Sequence, residues 1–157
     1  VIVELRDGGR ADVREMREPD APFVISSWVG AQRRAEQWRA VPIETYKVEM
    51  RRHVGRVLER SRALVAADAE DPEHLFGCVV VGAGAIHWLY VRETFRGFGL
   101  GKELARMAVP NVGAIDVEIS ALGRPLPSRG GSPETPFAEL AKRWRLVFNP
   151  FAALEAP

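Results

Sequence analysis

Between residues 75 and 109 two apolar runs, a glycine-rich loop and an amphipathic segment follow one another without interruption. "LFGCVVV" (75–81) and "AIHWLYV" (85–91) are rich in β-branched and aromatic residues, and Gly82-Ala83-Gly84 joins them. That reads as a β-hairpin in the middle of a sheet. The second run leads into "RETFRGFGLG", and Leu100, Leu104, Met107 and Ala108 then mark one face of a helix closed by Pro110. A strand that feeds a helix through a tight loop must lay that helix back on the sheet. The fold class is therefore α/β, a mixed α+β sheet with helices packed on it.

The flanking segments extend this plan. "VIVEL" (1–5) is a short strand. Asp20 and Pro22 open a helix whose apolar face is Val24, Trp28, Ala31, Ala35 and Trp38. Pro42 opens a second helix with the stripe Tyr46, Met50, Val54 and Val57, while Arg52, Arg56 and Arg60 line another face. "ALVAA" (63–67) is a strand, and "AIDVEIS" (114–120) alternates, with Ile115, Val117 and Ile119 on one side and Asp116, Glu118 and Ser120 on the other. Residues 121–135 form a Gly/Pro/Ser-rich loop of the length that carries function or disorder. A helix from Pro136 to Trp144 and a terminal strand in "LVFNPF" complete the order β-α-α-β-β-β-α-β-α-β. No repeat or linker divides the chain, so residues 1–157 are expected to form a single domain.

Composition excludes several classes. With 46% hydrophobic and 27% charged residues the chain is an ordinary globular one. The longest apolar stretch, "LFGCVVVGAGAI", is too short and glycine-rich to span a bilayer, and "VIVELRDGGR" has no signal-peptide pattern. Cys78 is the single cysteine and lies within a strand pattern, a core position in a protein expected to be cytoplasmic. The net charge of +1 argues against a polyanionic partner for the whole surface. The arginines of 33–62 are nonetheless concentrated, and Arg51, Arg52, Arg56 and Arg60 could attract an acidic acceptor or nucleic acid; a solvated face with Glu49 and Glu59 as local partners is the simpler reading. Without aromatic interleaving or a recognised motif, nucleic-acid binding is not supported.

The three glycines 97, 99 and 101 expose backbone at a helix N-terminus, where unpaired amides and the macrodipole favour an anion. Spacing separates the known versions of such a loop. A phosphate loop of the form G-x-x-x-x-G-K-[ST] ending at Gly101-Lys102 would need glycine at Arg96 and a hydroxyl at Glu103. The dinucleotide pattern G-x-G-x-x-G fails at His87 when begun at Gly82, and at Lys102 when begun at Gly97. The pattern [QR]-x-x-G-x-[GA] between strand and helix is met without a break by Arg96, Gly97, Phe98, Gly99, Leu100 and Gly101.

With Leu89 and Val91 before it and Leu104 after it, this segment resembles the central motif of the GCN5-related N-acetyltransferase (GNAT) superfamily, L-x-V-x-x-x-x-R-G-x-G-[IL]-G-x-x-L. The order of elements is similar too, and the resemblance fades after residue 120. "ISSWV" (25–29), "LYVRETFRGFGLG" and "VFNPF" further resemble a branch of that superfamily common in tailed-phage genomes. The resemblance implies a GNAT-like fold in which strands 85–91 and 114–120 splay apart. It implies acetyl-CoA as cosubstrate and a primary amine as acceptor, in a monomer or homodimer without membrane association. The pyrophosphate would meet the amides of Phe98, Gly99, Leu100, Gly101 and Lys102, with Gly97 giving the turn and Arg96 supporting the turn or the phosphates. Backbone groups around Leu89 and Val91 would pair with the pantetheine arm, and an amide near Val91 would polarise the thioester carbonyl.

The acceptor end is less defined. Many members use a tyrosine of the late helix as acid, whereas this chain has only Tyr46 and Tyr90. Ser120, a water or no acid at all is left for that role. Glu118 and Asp116 on the polar strand face, and His87 with the strand parity of Leu89 and Val91, are the candidate bases. His53 and His74 belong to an exposed helix and a turn, and no histidine–carboxylate cluster has metal-ligand spacing. Two alternatives stay open: a catalytically silent GNAT-fold binding or structural module, and, disfavoured by the failed phosphate-loop spacing, a nucleotide-binding protein.

Overall fold

The computed structural model describes residues 1–35, 38–112, 116–120, 143–149 and 152. Seven strands, β1 (Ile2–Glu4), β2 (Arg10–Glu15), β3 (Arg62–Asp68), β4 (Leu75–Gly82), β5 (Ala85–Val91), β6 (Val117–Ile119) and β7 (Leu146–Phe148), form one sheet in sequential order. The first five are antiparallel, and β5–β6 and β6–β7 are parallel. Among the described residues three helices, α1 (Ala21–Gln32), α2 (Ile43–Leu58) and α3 (Leu100–Ala108), accompany it. This is the mixed α/β architecture expected.

Both sheet faces are covered, which accounts for the near-continuous apolar runs of β3 and β4. On one face α1 and α2 pack over Val65, Ala67, Cys78, Val80 and Trp88, with Trp28 stacked on Trp88 at 5.5 Å between ring centroids. On the other, α3 inserts Leu100 and Leu104 among Leu64, Val79, Ile86, Val117 and Ile119. Tyr46 ties α2 to α1 by donating its hydroxyl proton to the Val29 carbonyl at 2.7 Å. Cys78 is fully buried, and burial pushes its thiol up to about 12, so it serves packing.

Several elements depart from the sequence reading. The N-terminal strand is one arm of a hairpin, since Asp7-Gly8-Gly9 turns the chain back into β2 and Gly8 takes φ +86°. Ala11 and Val13 of β2 are buried in the α3-side core. Helix α1 stops at Gln32, and Trp38 follows in a separate turn against Tyr46. The β4–β5 hairpin agrees with expectation: Gly82 pairs with Ala85, and Ala83 and Gly84 both have positive φ, +50° and +79°, as a two-residue hairpin of native twist requires. The expected helix at 136–144 and the loop at 121–135 lie outside the described residues, apart from Arg143 and Trp144. Among the described residues no helix is long and apolar enough to cross a membrane.

Candidate active site

The loop after β5 begins with a 3₁₀ turn, Glu93–Phe95, whose Phe95 stacks on Phe76 of β4 at 3.9 Å. Arg96 then reaches back, its Nε donating to the Val91 carbonyl at 2.9 Å. Gly97 and Gly99 adopt φ +86° and +94°, conformations that favour glycine, and Gly99 is the N-cap of α3. The amides of Gly97, Phe98, Gly99, Leu100 and Gly101 find no backbone acceptor among the described residues. The Lys102 and Glu103 amides instead donate to the Gly99 carbonyl at 3.0 and 3.2 Å. Lys102 therefore drops out of the expected set of phosphate-facing amides, because the first helical turn already uses it. At the third glycine a Cβ would stand 3.4 Å from Val91 Cγ2, an ordinary van der Waals contact between α3 and β5.

Among the described residues, the β6 side of β5 is unpaired beyond Ile86. Pairing between these parallel strands joins Ala85 to Glu118 and Ile86 to Ile119, and the Ser120 amide closes it by donating to the Ile86 carbonyl at 3.2 Å. From Trp88 to Val91, β5 pairs with β4 alone among the described residues. The Arg92 amide faces β4, donating to the Phe76 carbonyl at 2.8 Å, so alternation turns the Val91 carbonyl to the open edge. There Arg96 holds it, which leaves Leu89 as the nearer expected backbone partner for a ligand lying along this edge.

A bulge reorders the histidine. Val80 pairs with Trp88 and Val81 with Ile86, so His87 has no partner on β4. The expected parity with Leu89 and Val91 is lost: those two pack on the α3 side, whereas the His87 ring meets Ser120 and lies against Gly82. His87 is 1% exposed, and its Nδ1 lies 2.9 Å from Ser120 Oγ. Burial, with a smaller contribution from His53, holds its pKa below the ordinary histidine value, so the ring is neutral at neutral pH. Two of the three expected catalytic groups are thus in contact, where β5 and β6 part.

The third, Glu118, lies on the same β6 side chain parity as Ser120, and it accepts a hydrogen bond from Asn149 Nδ2 at 3.1 Å. Asp116, the other acidic candidate, is ion-paired with Arg145 at 2.7 Å. Neither tyrosine offers a ready acid. Tyr46 is buried on the Val29 carbonyl and burial raises its pKa, and Tyr90 packs edge-on against Phe23 at 6.1 Å. His53 is half-buried rather than exposed, and burial lowers its pKa. His74 packs edge-on against Phe76 and Phe95. Among the described residues no group of histidines, cysteines and carboxylates is placed to hold a metal ion.

Arg6 joins the site from outside the glycine motif. The β1–β2 turn docks on the glycine loop, the Arg6 amide donating to the Phe98 carbonyl at 3.3 Å. Its exposed side chain places Nε 4.0 Å from the position a Cβ would take on Gly99. Only the Asp-Gly turn signal hinted at the hairpin, and nothing local indicated where it docks.

No protein-family model matches this chain, and no curated protein does. Among solved structures, the chain is similar to the solution structure of the apo form of YjaB from Escherichia coli, with a TM-score of 0.48 and 17% identity. The match covers 64% of this chain and 65% of YjaB, short of two thirds of that protein's own length. A likeness this slight carries no argument about function. The phage-type branch suggested by the sequence finds no support in these comparisons.

Proposed function

We propose that the protein is an acyl-CoA-dependent N-acyltransferase that moves an acetyl group from acetyl-CoA to a primary amine by direct attack in a ternary complex. The observation that carries this reading is the set of amides at Gly97, Phe98, Gly99, Leu100 and Gly101 without a backbone acceptor among the described residues, beside the unpaired edge of β5. The residues present suit such a ligand. Cβ positions on Gly97 and Gly99 point into open space, so a pyrophosphate can approach the backbone, and Arg6 and Lys102 supply nearby positive charge. The edge from Leu89 onward can pair with an amide-bearing chain as another strand would.

Acetyl-CoA supplies an acetyl group activated as a thioester. The chain then has three tasks: to align the amine with the carbonyl carbon, to take the proton the amine loses as the C–N bond forms, and to let the C–S bond break. His87, neutral and hydrogen-bonded to Ser120 at the strand divergence, is the base, reached through the Ser120 hydroxyl. The Glu118 carboxylate, held by Asn149, shapes the acceptor side. Acetyl-CoA would lie along β5 with its thioester toward Ser120.

The direct test follows free thiol release from acetyl-CoA across a panel of primary amines, with binding followed by thermal shift. Stabilisation by acetyl-CoA and amine-dependent thiol release are expected. No stabilisation by acetyl-CoA, CoA or longer acyl-CoAs would sink the reading. Binding without transfer to any amine favours the catalytically silent module, which the engagement of Glu118 and both tyrosines in packing contacts keeps in view.

A further inference from the structure

The α1 side of β5 holds a group of side chains that the glycine loop does not use. Leu89 and Val91 pack toward α3, whereas Tyr90 packs on the α1 side, its ring edge-on to Phe23 of α1 at 6.1 Å. A guanidinium lies over each ring: Arg92 is 5.1 Å from the Phe23 centroid and Arg96 is 5.9 Å from that of Tyr90. Arg96 belongs to the glycine motif, yet its Nε is taken by the Val91 carbonyl and its guanidinium sits over Tyr90. Both arginines are exposed. Among the described residues neither forms an ion pair with a carboxylate, Glu93 between them in sequence included.

The groups assigned to the acceptor share this side of the sheet. Val117 and Ile119 of β6 are buried in the α3-side core, so alternation sends Glu118 and Ser120 the other way, as it does Tyr90. Ser120 meets β5 at Ile86 and His87. Tyr90 lies three to four residues further along that strand, about 10–13 Å at the rise of an extended chain. One end of this face therefore carries the proton-accepting groups and the Glu118 carboxylate, and the other end carries two guanidiniums. Resting on the acyltransferase reading, we infer that the acceptor is dipolar: a primary amine with an anionic oxygen group several bonds away, held by Arg92 and Arg96 while the amine reaches Ser120. A guanidinium stacked on a ring is already oriented, and its free edge offers paired N–H donors that match a carboxylate or a phosphate. The same two charges repel a polyamine or a lysine-rich peptide, so they select as well as bind.

The test measures thiol release from acetyl-CoA with 6-aminohexanoate, 6-aminohexyl phosphate, hexylamine and 1,6-diaminohexane. Their reacting amines are alike, and their far ends are a carboxylate, a phosphate, a methyl group and an ammonium. Wild type is expected to show kcat/KM about fivefold higher for an oxyanion-bearing amine than for hexylamine, and the faster of the two oxyanion-bearing amines names the group. Arg92→Glu changes an exposed position and is expected to turn the order toward 1,6-diaminohexane. A purely structural role for Arg92 would instead lower all four rates together. Equal rates across the panel in wild type, an order that Arg92→Glu leaves unchanged, or a lysine-rich peptide as the fastest acceptor overturns the inference and leaves acyl transfer intact. Should wild type transfer nothing, 6-aminohexanoate is titrated alone and followed at the Arg92 and Arg96 Nε–H resonances and the Tyr90 ring. Larger shifts than hexylamine causes support the inference, and shifts no larger overturn it.

Discussion

Replacing Gly99 by alanine separates two things that the glycine loop does at once. Gly99 sits at φ +94° and caps α3. A left-handed conformation costs an ordinary L-residue about 1–2 kcal/mol. Nothing else resists the methyl, since only Arg6 Nε comes as near as 4.0 Å to the Cβ position. For a chain of this size about 1 kcal/mol is about 2–4 °C in Tm, so Gly99→Ala should melt about 2–8 °C below wild type and remain folded. The same methyl stands where a pyrophosphate would meet the amides. Loss of one charge-assisted hydrogen bond costs about 1.5–3 kcal/mol, about ten- to a hundredfold in Kd. Gly55→Ala is the control: it lies in α2 with nothing within 4 Å of its Cβ position, and alanine there should stabilise the helix by about 1 kcal/mol. Unfolding curves of the free proteins and calorimetric titration with acetyl-CoA give both quantities. Wild-type affinity in Gly99→Ala would refute the placement of the pyrophosphate on these amides, and an unchanged or raised Tm would refute the strain argument.

Three further outcomes follow from the fold. Gly77→Ala sets a Cβ 2.6 Å from the Tyr90 carbonyl oxygen and 3.3 Å from Val91 Cα, backbone atoms that cannot step aside. It should lose about 3 kcal/mol or more in urea unfolding, because the clash pries β4 from β5. Tyr46→Phe removes the hydroxyl from the Val29 carbonyl and should cost about 1 kcal/mol in the same assay. Asp20 is buried with Arg14: burial acts to raise its pKa, but the hydrogen bonds from Arg14 and from the Arg17 amide outweigh that and hold it below the ordinary value. Its folded pKa lies below 3.8, so its stabilisation is present above that pH and disappears as pH falls through the folded value. Asp20→Asn should therefore be about 3 kcal/mol less stable than wild type at pH 7, and the gap should narrow in acid.

What the sequence made legible was local. The β4–β5 hairpin, the bounds of β5 and the stripe of α3 could be read because turn chemistry and period agree within a few residues. The glycine loop was legible for the same reason, through spacing alone. The misreadings are non-local or irregular. Strand β2 hides in "RADVRE", where Ala11 and Val13 are the only apolar residues and polar side chains occupy the other face. His87 was placed by strict alternation from Val91, and the bulge at Val80/Val81 breaks that alternation. The same bulge carries the ring to Ser120, a contact that the strand pattern alone does not encode. Arg6 approaches Gly99 only because a hairpin from the far end of the sheet returns to the loop.

The central claim is that the backbone of 97–101 receives the pyrophosphate of acetyl-CoA, and amide NMR tests it most directly. On titration with acetyl-CoA the largest downfield shifts are expected at Gly97, Phe98, Gly99, Leu100 and Gly101, with smaller changes at Leu89 and Arg6 and little at Lys102, whose amide is already bonded to Gly99. Saturating acetyl-CoA that leaves those five amides unmoved, or that moves a different part of the sheet instead, would contradict it.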